Sequence, residues 1–181
     1  MLSIYFQEHI PINGSGKTTF FKALLGDSTL IRNGLWEIPP YLNIAYLQQF
    51  QSFSAASPLT LLKQQCPDWS PEALQHHLST FLFTDFRTHT QPADTLSEGE
   101  KMRLSLALIA QVAPDLIILD EVSNHLDLTT KQHLIDTLNL FEGALLINSH
   151  ETAFLEELHI DRQAFIQTNG KSGQIVEGTT S

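Results

Sequence analysis

The stretch "IPINGSGKTTF", Ile10 to Phe20, decides how this sequence folds. Two glycines, Gly14 and Gly16, lie just before Lys17, and the apolar spacing that follows predicts a helix. Small residues let successive backbone N–H groups turn toward an anion at the N-terminus of such a helix. The stretch therefore predicts a phosphate-binding loop, and the alternative is a glycine-rich turn that contains G-K-T by chance.

The loop departs from the pattern G-x-x-x-x-G-K-[ST] at its first residue, because Pro11 stands where the pattern has glycine. Proline fixes its own φ and has no N–H, but the donors expected to contact phosphate lie downstream. In this pattern Lys17 reaches the β- and γ-phosphates, and Thr18 offers a hydroxyl to Mg²⁺. The predicted nucleotide contacts in the loop are Asn13, Gly14, Ser15, Gly16, Lys17, Thr18 and Thr19.

Composition limits the classes of function. The 181 residues are 42% hydrophobic, which predicts one domain with a sizeable core. Twenty acidic against ten basic residues give a net charge of −10, which disfavours autonomous binding to nucleic acid. Cys66 is the only cysteine, which excludes an intrachain disulfide. We expect a cytoplasmic protein, since no export signal or apolar run of about 20 residues is present.

Helical and strand patterns alternate along the chain, which predicts an α/β fold with a mainly parallel sheet. Ser57–Pro58 and Ser70–Pro71 are typical helix starts, and they favour a helical insert at about 50–110. The helix "LSEGEKMRLSLALIA" carries Ser97 and Glu100 at capping-box spacing. The strands are predicted at "LNIAYLQQ", "DLIILDE", "ALLIN" and near 163–168, with helices near 129–140 and 151–158.

Acidic and polar side chains follow the predicted strands at the sheet edge where ligands bind. Asp120 is placed to hold Mg²⁺ through water, and Glu121 to act as general base on an attacking water. His150 follows "LLINS" at the same edge, where it could contact the γ-phosphate. Gln49 could reach Mg²⁺ or the water, with Gln48 as the competing register. The alternative for the two acids is that they only end a strand in solvent. The alternative for His150 is that it is an ordinary surface or core histidine.

Five motifs together resemble an ATP-binding-cassette (ABC) ATPase domain. "NGSGKTT", "YLQQ", "LSEGEKMRLSLA", "LIILDEVSNHLD" and "LINSHE" occur in the order of the P-loop, Q-loop, signature, Walker B with D-loop, and switch histidine. Glu100 in the signature and "SNHLD" after the acids resemble the ABC-F subgroup, whose paired cassettes act on ribosomes. The resemblance implies a P-loop NTPase three-layer core with a helical signature subdomain, ATP and Mg²⁺ as cofactors, and a single cassette over residues 1–181.

The resemblance also implies the remaining site residues. Catalytic roles fall to Glu121, His150 and Gln49, and metal contacts to Thr18, Gln49 and Asp120. In an ATP sandwich, Ser97 and Gly99 would contact nucleotide held by a second cassette, either a copy of this chain or another protein, with the ribosome as a further partner.

Three departures from the family lower the expected activity, and the first is Pro11 at the entry to the loop. Only ten residues precede Pro11, so the N-terminal antiparallel strands are expected to be largely missing. The polar stretch "QEHI" stands where the family has a buried apolar strand, and we expect a polar run in that central strand to leave several polar groups unsatisfied. Glu98 brings a carboxylate to the signature. The alternatives are the ATPase subunit of an ABC transporter and a nucleotide-binding module without turnover.

Overall fold

The computed structural model of this chain describes residues 2–7, 16–33, 36–48, 50–124, 126–168 and 173–178. It divides into two compact units, one of Met1–Leu47, Pro114–Val122 and Phe141–Ser181, the other of Gln48–Ala113 and Ser123–Leu140. The single cassette over residues 1–181 stays a prediction.

The regular elements alternate between strands and helices along the chain. In order they are β1 (Leu2–Gln7), α1 (Lys17–Leu24), β2 (Ile44–Gln48), α2 (Pro58–Gln65), α3 (Pro71–Thr80), α4 (Phe86–Thr90), a 3-10 turn (Ala93–Thr95), α5 (Glu98–Val112), β3 (Leu116–Asp120), α6 (Leu128–Asn139), β4 (Ala144–Asn148), α7 (Thr152–Glu156), β5 (Arg162–Thr168) and β6 (Gly173–Gly178).

The strands form one sheet in the order β2-β3-β4-β1-β5-β6. The pairs β3–β4, β4–β1 and β1–β5 are parallel, and β6 runs antiparallel to β5. The prediction of an α/β fold with a mainly parallel sheet is confirmed. Because β3 and β4 are parallel neighbours with Asp120 opposite Asn148, the loops that follow them leave the same edge of the sheet.

The core of the first unit lies where α1 packs on this sheet. All five residues of β3 are buried, as expected for a strand that reads as a continuous apolar run. Phe21 of α1 is fully buried against Leu116 and Ile118, and partly buried side chains surround this cluster, among them Ile44 and Tyr46 of β2. This packing fixes α1 and the ends of β2 and β3 relative to one another.

Strand β1 contains the first residue of the polar stretch "QEHI". It begins at Leu2, reaches Gln7 and lies between β4 and β5, parallel to both. Gln7 stands opposite Phe165 of β5. The other three residues of the stretch lie outside the described residues, so the expected cost of a polar run in this central strand stays a prediction. Strand β6 was not anticipated from the sequence.

The second unit is helical, and its helix starts follow from the sequence. Ser57 and Ser70 each accept a hydrogen bond of 3.2 Å from the backbone N–H three residues later, with proline at the first helical position. Buried leucines from α2, α3 and α5, among them Leu62, Leu78 and Leu104, form its core. None of the helices in the described ranges combines the length and the apolar character that a membrane-spanning helix requires.

Candidate active site

Asp120 is the centre of a hydrogen-bonded group in the first unit. It ends β3 and is 5% exposed. The Thr18 hydroxyl, in the first turn of α1, donates to Asp120 Oδ2 at 2.9 Å. The two residues predicted to hold Mg²⁺ are thus in contact although 102 positions separate them in sequence.

Tyr46 is a second hydroxyl donor to the same carboxylate. Its phenol donates to Asp120 Oδ2 at 2.9 Å. Burial, with the Asp120 charge and this hydrogen bond, raises the pKa of Tyr46, so the phenol stays protonated and keeps donating above pH 10 as well. Tyr46 lies in β2, which ends at the exposed Gln48, and Gln49 lies outside the described residues.

Asn148 occupies the other side of Asp120. Its Nδ2 donates to Asp120 Oδ1 at 2.7 Å and lies 3.5 Å from Glu121 Oε1. Its backbone carbonyl accepts from the Glu121 N–H at 2.8 Å. One buried amide therefore contacts both acids that follow the apolar run of β3.

Glu121 leaves the strand in an unusual backbone conformation and contacts the predicted switch histidine. Its φ of 60° lies in the left-handed region, which costs a residue other than glycine about 1–3 kcal/mol. Its Oε1 lies 2.8 Å from His150 Nε2, with the two side chains 24% and 50% exposed. The pair is therefore open to solvent at the edge of the sheet, where a protonated Nε2 can donate to the carboxylate.

The described part of the predicted phosphate loop begins at Gly16. This residue caps α1 with φ at 85°, a conformation that glycine adopts without strain. Lys17 is 5% exposed at the start of α1, whereas Thr19 is exposed. The predicted contacts Asn13, Gly14 and Ser15 lie outside the described residues.

Ser97 and its capping box begin α5 in the second unit. The Ser97 hydroxyl donates to Glu100 Oε2 at 2.7 Å, and the Ser97 N–H donates to the same oxygen at 2.8 Å. The Glu100 N–H returns a bond of 3.3 Å to Ser97 Oγ, so the predicted capping box is present. Lys101 Nζ lies 2.9 Å from Glu98 Oε1, which partly offsets the Glu98 charge expected to oppose phosphate.

Gly99 lies where α5 meets the start of α6. A Cβ at this position would lie 3.0 Å from Asp127 Oδ2 and 3.3 Å from Thr130 Oγ1. Asp127 caps α6 by accepting from the Thr130 N–H at 2.9 Å and from its hydroxyl at 2.8 Å. Gly99 therefore permits a close helix contact within the second unit, whatever else it binds.

Comparison with known families decides the classification. The profile of the family described as ABC transporter matches residues 12–124, more than half of the chain. The chain belongs to the ABC transporter family.

Three curated relatives resemble this chain in sequence. It is 34% identical to the probable ATP-binding protein YheS of Haemophilus influenzae over 79% of this chain and 23% of that protein. It is 30% identical to ATP-binding cassette sub-family F member 3 of Mus musculus, over 92% of this chain and 23% of that protein. It is 32% identical to the ribosome protection protein VmlR of Bacillus subtilis, over 90% of this chain and 29% of that protein. The resemblance to ABC-F cassettes is confirmed, and the chain spans less than a third of each relative.

A solved structure supports the fold. The structure titled RNase-L Inhibitor superposes on this chain with a TM-score of 0.71 at 23% identity, covering 97% of this chain and 34% of that one. The family match and this likeness confirm the predicted P-loop NTPase fold.

The sequence patterns did not predict two members of this site, Tyr46 and Asn148. Tyr46 was read as part of a buried strand, because an aromatic residue in an apolar run is typical of a core position. Asn148 lies in both "ALLIN" and "LINSHE", but neither pattern assigns it a role. The available signal was its polarity at the end of a buried parallel strand, since such ends face the ligand-binding edge.

Proposed function

We propose that this chain binds MgATP and hydrolyses it as an ABC-F-like cassette. The observation that carries the proposal is the contact of four predicted site residues in one unit. Thr18 donates to Asp120 at 2.9 Å, and His150 lies 2.8 Å from Glu121, with the two acids adjacent in sequence. A hydroxyl, two carboxylates and an imidazole at the C-terminal edge of a parallel sheet suit phosphoryl transfer to water.

The residues of this site fit Mg²⁺ bound together with a nucleotide. The described residues contain no group of three or more histidine, cysteine, aspartate or glutamate side chains that could hold a metal alone. Mg²⁺ is commonly held by one or two carboxylates plus substrate phosphates, and Asp120 and Thr18 supply one carboxylate and one hydroxyl. Bound there, Mg²⁺ would neutralise charge developing on the phosphates.

The side chains divide the remaining work. Lys17 and the N-terminus of α1 bind the phosphates through positive charge and backbone donors. Glu121 accepts the proton of the attacking water as general base. His150 holds the Glu121 carboxylate through Nε2 and so limits the orientations in which Glu121 meets that water.

Pairing of two cassettes is the second part of the proposal. Ser97 and Gly99 would contact nucleotide held by the partner cassette, and Gln49 would contact Mg²⁺ or the water of its own site. The Ser97 hydroxyl donates to Glu100 in this structure, so it must exchange that acceptor for a phosphate oxygen. The relative VmlR is named a ribosome protection protein, and we extend the proposal to a cytoplasmic, ribosome-associated role.

Titration with a fluorescent ATP analogue in Mg²⁺ tests nucleotide binding. Lys17→Ala should lose most of the signal, whereas Lys22→Ala, an exposed lysine on the same helix, should bind like the unaltered chain. Equal binding by both variants would contradict the assignment of Lys17 to a phosphate-binding site.

Single-turnover hydrolysis at high protein concentration tests the chemistry. If the chain bound nucleotide but did not hydrolyse it, even in the presence of a second cassette, the chain would be a nucleotide-binding module without turnover.

Pairing is tested by light scattering of Glu121→Gln with and without MgATP, since blocked hydrolysis preserves the bridging triphosphate. A nucleotide-dependent increase in mass is expected, and an unchanged monomer would contradict the sandwich.

A further inference from the structure

Asn148 is a buried amide at the end of an otherwise apolar strand. It is 3% exposed and stands opposite Asp120 on one side and Phe6 on the other in the parallel sheet. A buried amide is costly unless its polar atoms are hydrogen-bonded. The contacts of Asn148 therefore indicate what it does in the site.

Those contacts are concentrated on the two acids. Nδ2 donates to Asp120 Oδ1 at 2.7 Å and lies 3.5 Å from Glu121 Oε1, while the backbone carbonyl accepts from the Glu121 N–H. Oδ1 of Asn148 is buried and has no hydrogen-bond partner among the described residues. The NH₂ group of Asn148 therefore hydrogen-bonds to the acids, whereas its carbonyl oxygen accepts no hydrogen bond from the described residues.

The orientation of the amide follows from the charges around it. Ionised carboxylates only accept hydrogen bonds, and the NH₂ group is the only donor of an asparagine side chain. With the amide reversed, Oδ1 would face the carboxylates of Asp120 and Glu121. The short contact to Asp120 is therefore a hydrogen bond to a charged group, which is stronger than a bond between neutral groups.

We propose that Asn148 is a positioning residue that holds Asp120 and Glu121 in a fixed relation for hydrolysis, an inference that rests on the proposed function. Asn148 ties Oδ1 of Asp120, which leaves Oδ2 directed toward Thr18. Its carbonyl holds the Glu121 N–H and its amide faces the Glu121 carboxylate, so it restrains a residue whose backbone lies in the left-handed region. Loss of the amide frees the carboxylate expected to serve Mg²⁺.

The Mg²⁺ dependence of nucleotide binding separates this role from a merely structural one. A structural defect weakens binding of the fluorescent ATP analogue equally with Mg²⁺ and with EDTA. We define the Mg²⁺ ratio as the dissociation constant in EDTA divided by the dissociation constant in Mg²⁺. Asn148→Leu should lower this ratio by about tenfold, because a hydrogen bond to a charged group is lost. Binding in EDTA should stay within about twofold. Asn148→Ala replaces it if the leucine variant does not fold.

Gln111→Leu is the matched control. It also removes a partly buried amide, but one in the second unit that contacts His77 and Cys66. Its Mg²⁺ ratio should equal that of the unaltered chain. An unchanged ratio in Asn148→Leu, or an equal fall in Gln111→Leu, would overturn the proposal.

A second measurement needs no nucleotide. Urea midpoints of Asn148→Leu, Asp120→Ala and the double variant should be non-additive, because either single change removes the hydrogen bond from Asn148 Nδ2 to Asp120 Oδ1. Additive midpoints would overturn the role of Asn148. If the unaltered chain bound no nucleotide, the proposed function would fail, and the midpoints would still decide whether Asn148 and Asp120 are coupled.

Discussion

His150 Nε2 lies 2.8 Å from Glu121 Oε1, although the two residues leave the sheet from different strands. The contact arises because β3 and β4 are parallel neighbours with Asp120 opposite Asn148. Glu121 follows the first of these residues by one position and His150 follows the second by two. The register of the sheet therefore sets the distance between a candidate general base and the imidazole beside it.

Turnover should show that these two residues act together. Glu121→Gln should keep nucleotide binding and reduce single-turnover hydrolysis by about 10²- to 10⁴-fold, as expected when a positioned base is lost. His150→Ala should also slow the reaction, but it should add little in the Glu121→Gln background because its partner has already lost its charge. Glu142→Gln, at an exposed glutamate, is the control. Rate losses that multiply would show independent roles.

The contacts of this site could be predicted only in part. Asp120 ends β3, Glu121 follows it, and His150 lies two residues beyond the end of β4. The rule that ligands meet the C-terminal edge of a parallel sheet is sufficient to place these three residues together. The left-handed backbone of Glu121 could not be predicted, since glutamate has no preference for it. Asn148 lies in the stretch "LINSHE", but the resemblance gives it no role there, and its importance depends on a register that only tertiary structure defines.

Tyr46→Phe should destabilise the chain by about 1 kcal/mol near neutral pH, the usual contribution of one hydrogen bond, because it removes one of two hydroxyl donors to Asp120 Oδ2. Urea unfolding measures this loss. Tyr41→Phe is the matched control, since Tyr41 is 93% exposed. If both variants lost the same free energy of unfolding, the hydrogen bond from Tyr46 to Asp120 would not contribute to stability.

The contribution of Tyr46 to the free energy of unfolding should depend on alkaline pH. The pKa of Tyr46 is raised in the folded chain above its ordinary value of 10.0, so folding favours the protonated phenol. The stabilisation is complete below pH 10 and is lost as the pH rises through the folded pKa. The free energy of unfolding should therefore fall more steeply above pH 10 in the unaltered chain than in Tyr46→Phe. Parallel curves would contradict the raised pKa.

Acid should weaken the N-cap of α6. Hydrogen bonds from the Thr130 N–H and hydroxyl, with the nearby Arg103 charge, lower the pKa of Asp127 below its ordinary value of 3.8. Its stabilisation is present above that value and is lost as the pH falls through the folded pKa. Asp127→Ala should cost about 0.5–2 kcal/mol at pH 7, and the difference from the unaltered chain should shrink below pH 4. Asp68→Ala, at an exposed aspartate, should show no such narrowing.

Strand β1 shows why the fold was predicted unevenly. Strand β3 is buried along its whole length, so its continuous apolar run was sufficient to find it. Strand β1 mixes Ser3 and Gln7 with apolar residues, and its place between β4 and β5 depends on pairing with segments about 140 and 160 positions away. The helices of the second unit were easier, because local signals such as Ser57–Pro58 mark where they begin.

Gly99→Ala should destabilise the second unit, which is the opposite of the usual effect. Replacing glycine by alanine in a helix usually stabilises it by about 0.5–1 kcal/mol. Here the new Cβ would lie 3.0 Å from Asp127 Oδ2 and 3.3 Å from Thr130 Oγ1. Neither atom can withdraw freely, because they bond each other at 2.8 Å and Arg103 Nη1 donates to Thr130 Oγ1 at 2.6 Å.

Urea unfolding without nucleotide isolates this packing effect of Gly99 from any contact with a partner's phosphate. In the Asp127→Ala background the carboxylate that crowds the new Cβ is gone. Gly99→Ala should then regain part of the stability expected from helix propensity, so the loss in the double variant should be smaller than the sum of the two single losses. If Gly99→Ala stabilised the unaltered chain, the close approach of α5 to α6 at Gly99 would be contradicted. Nucleotide binding would then remain as the proposed role of Gly99.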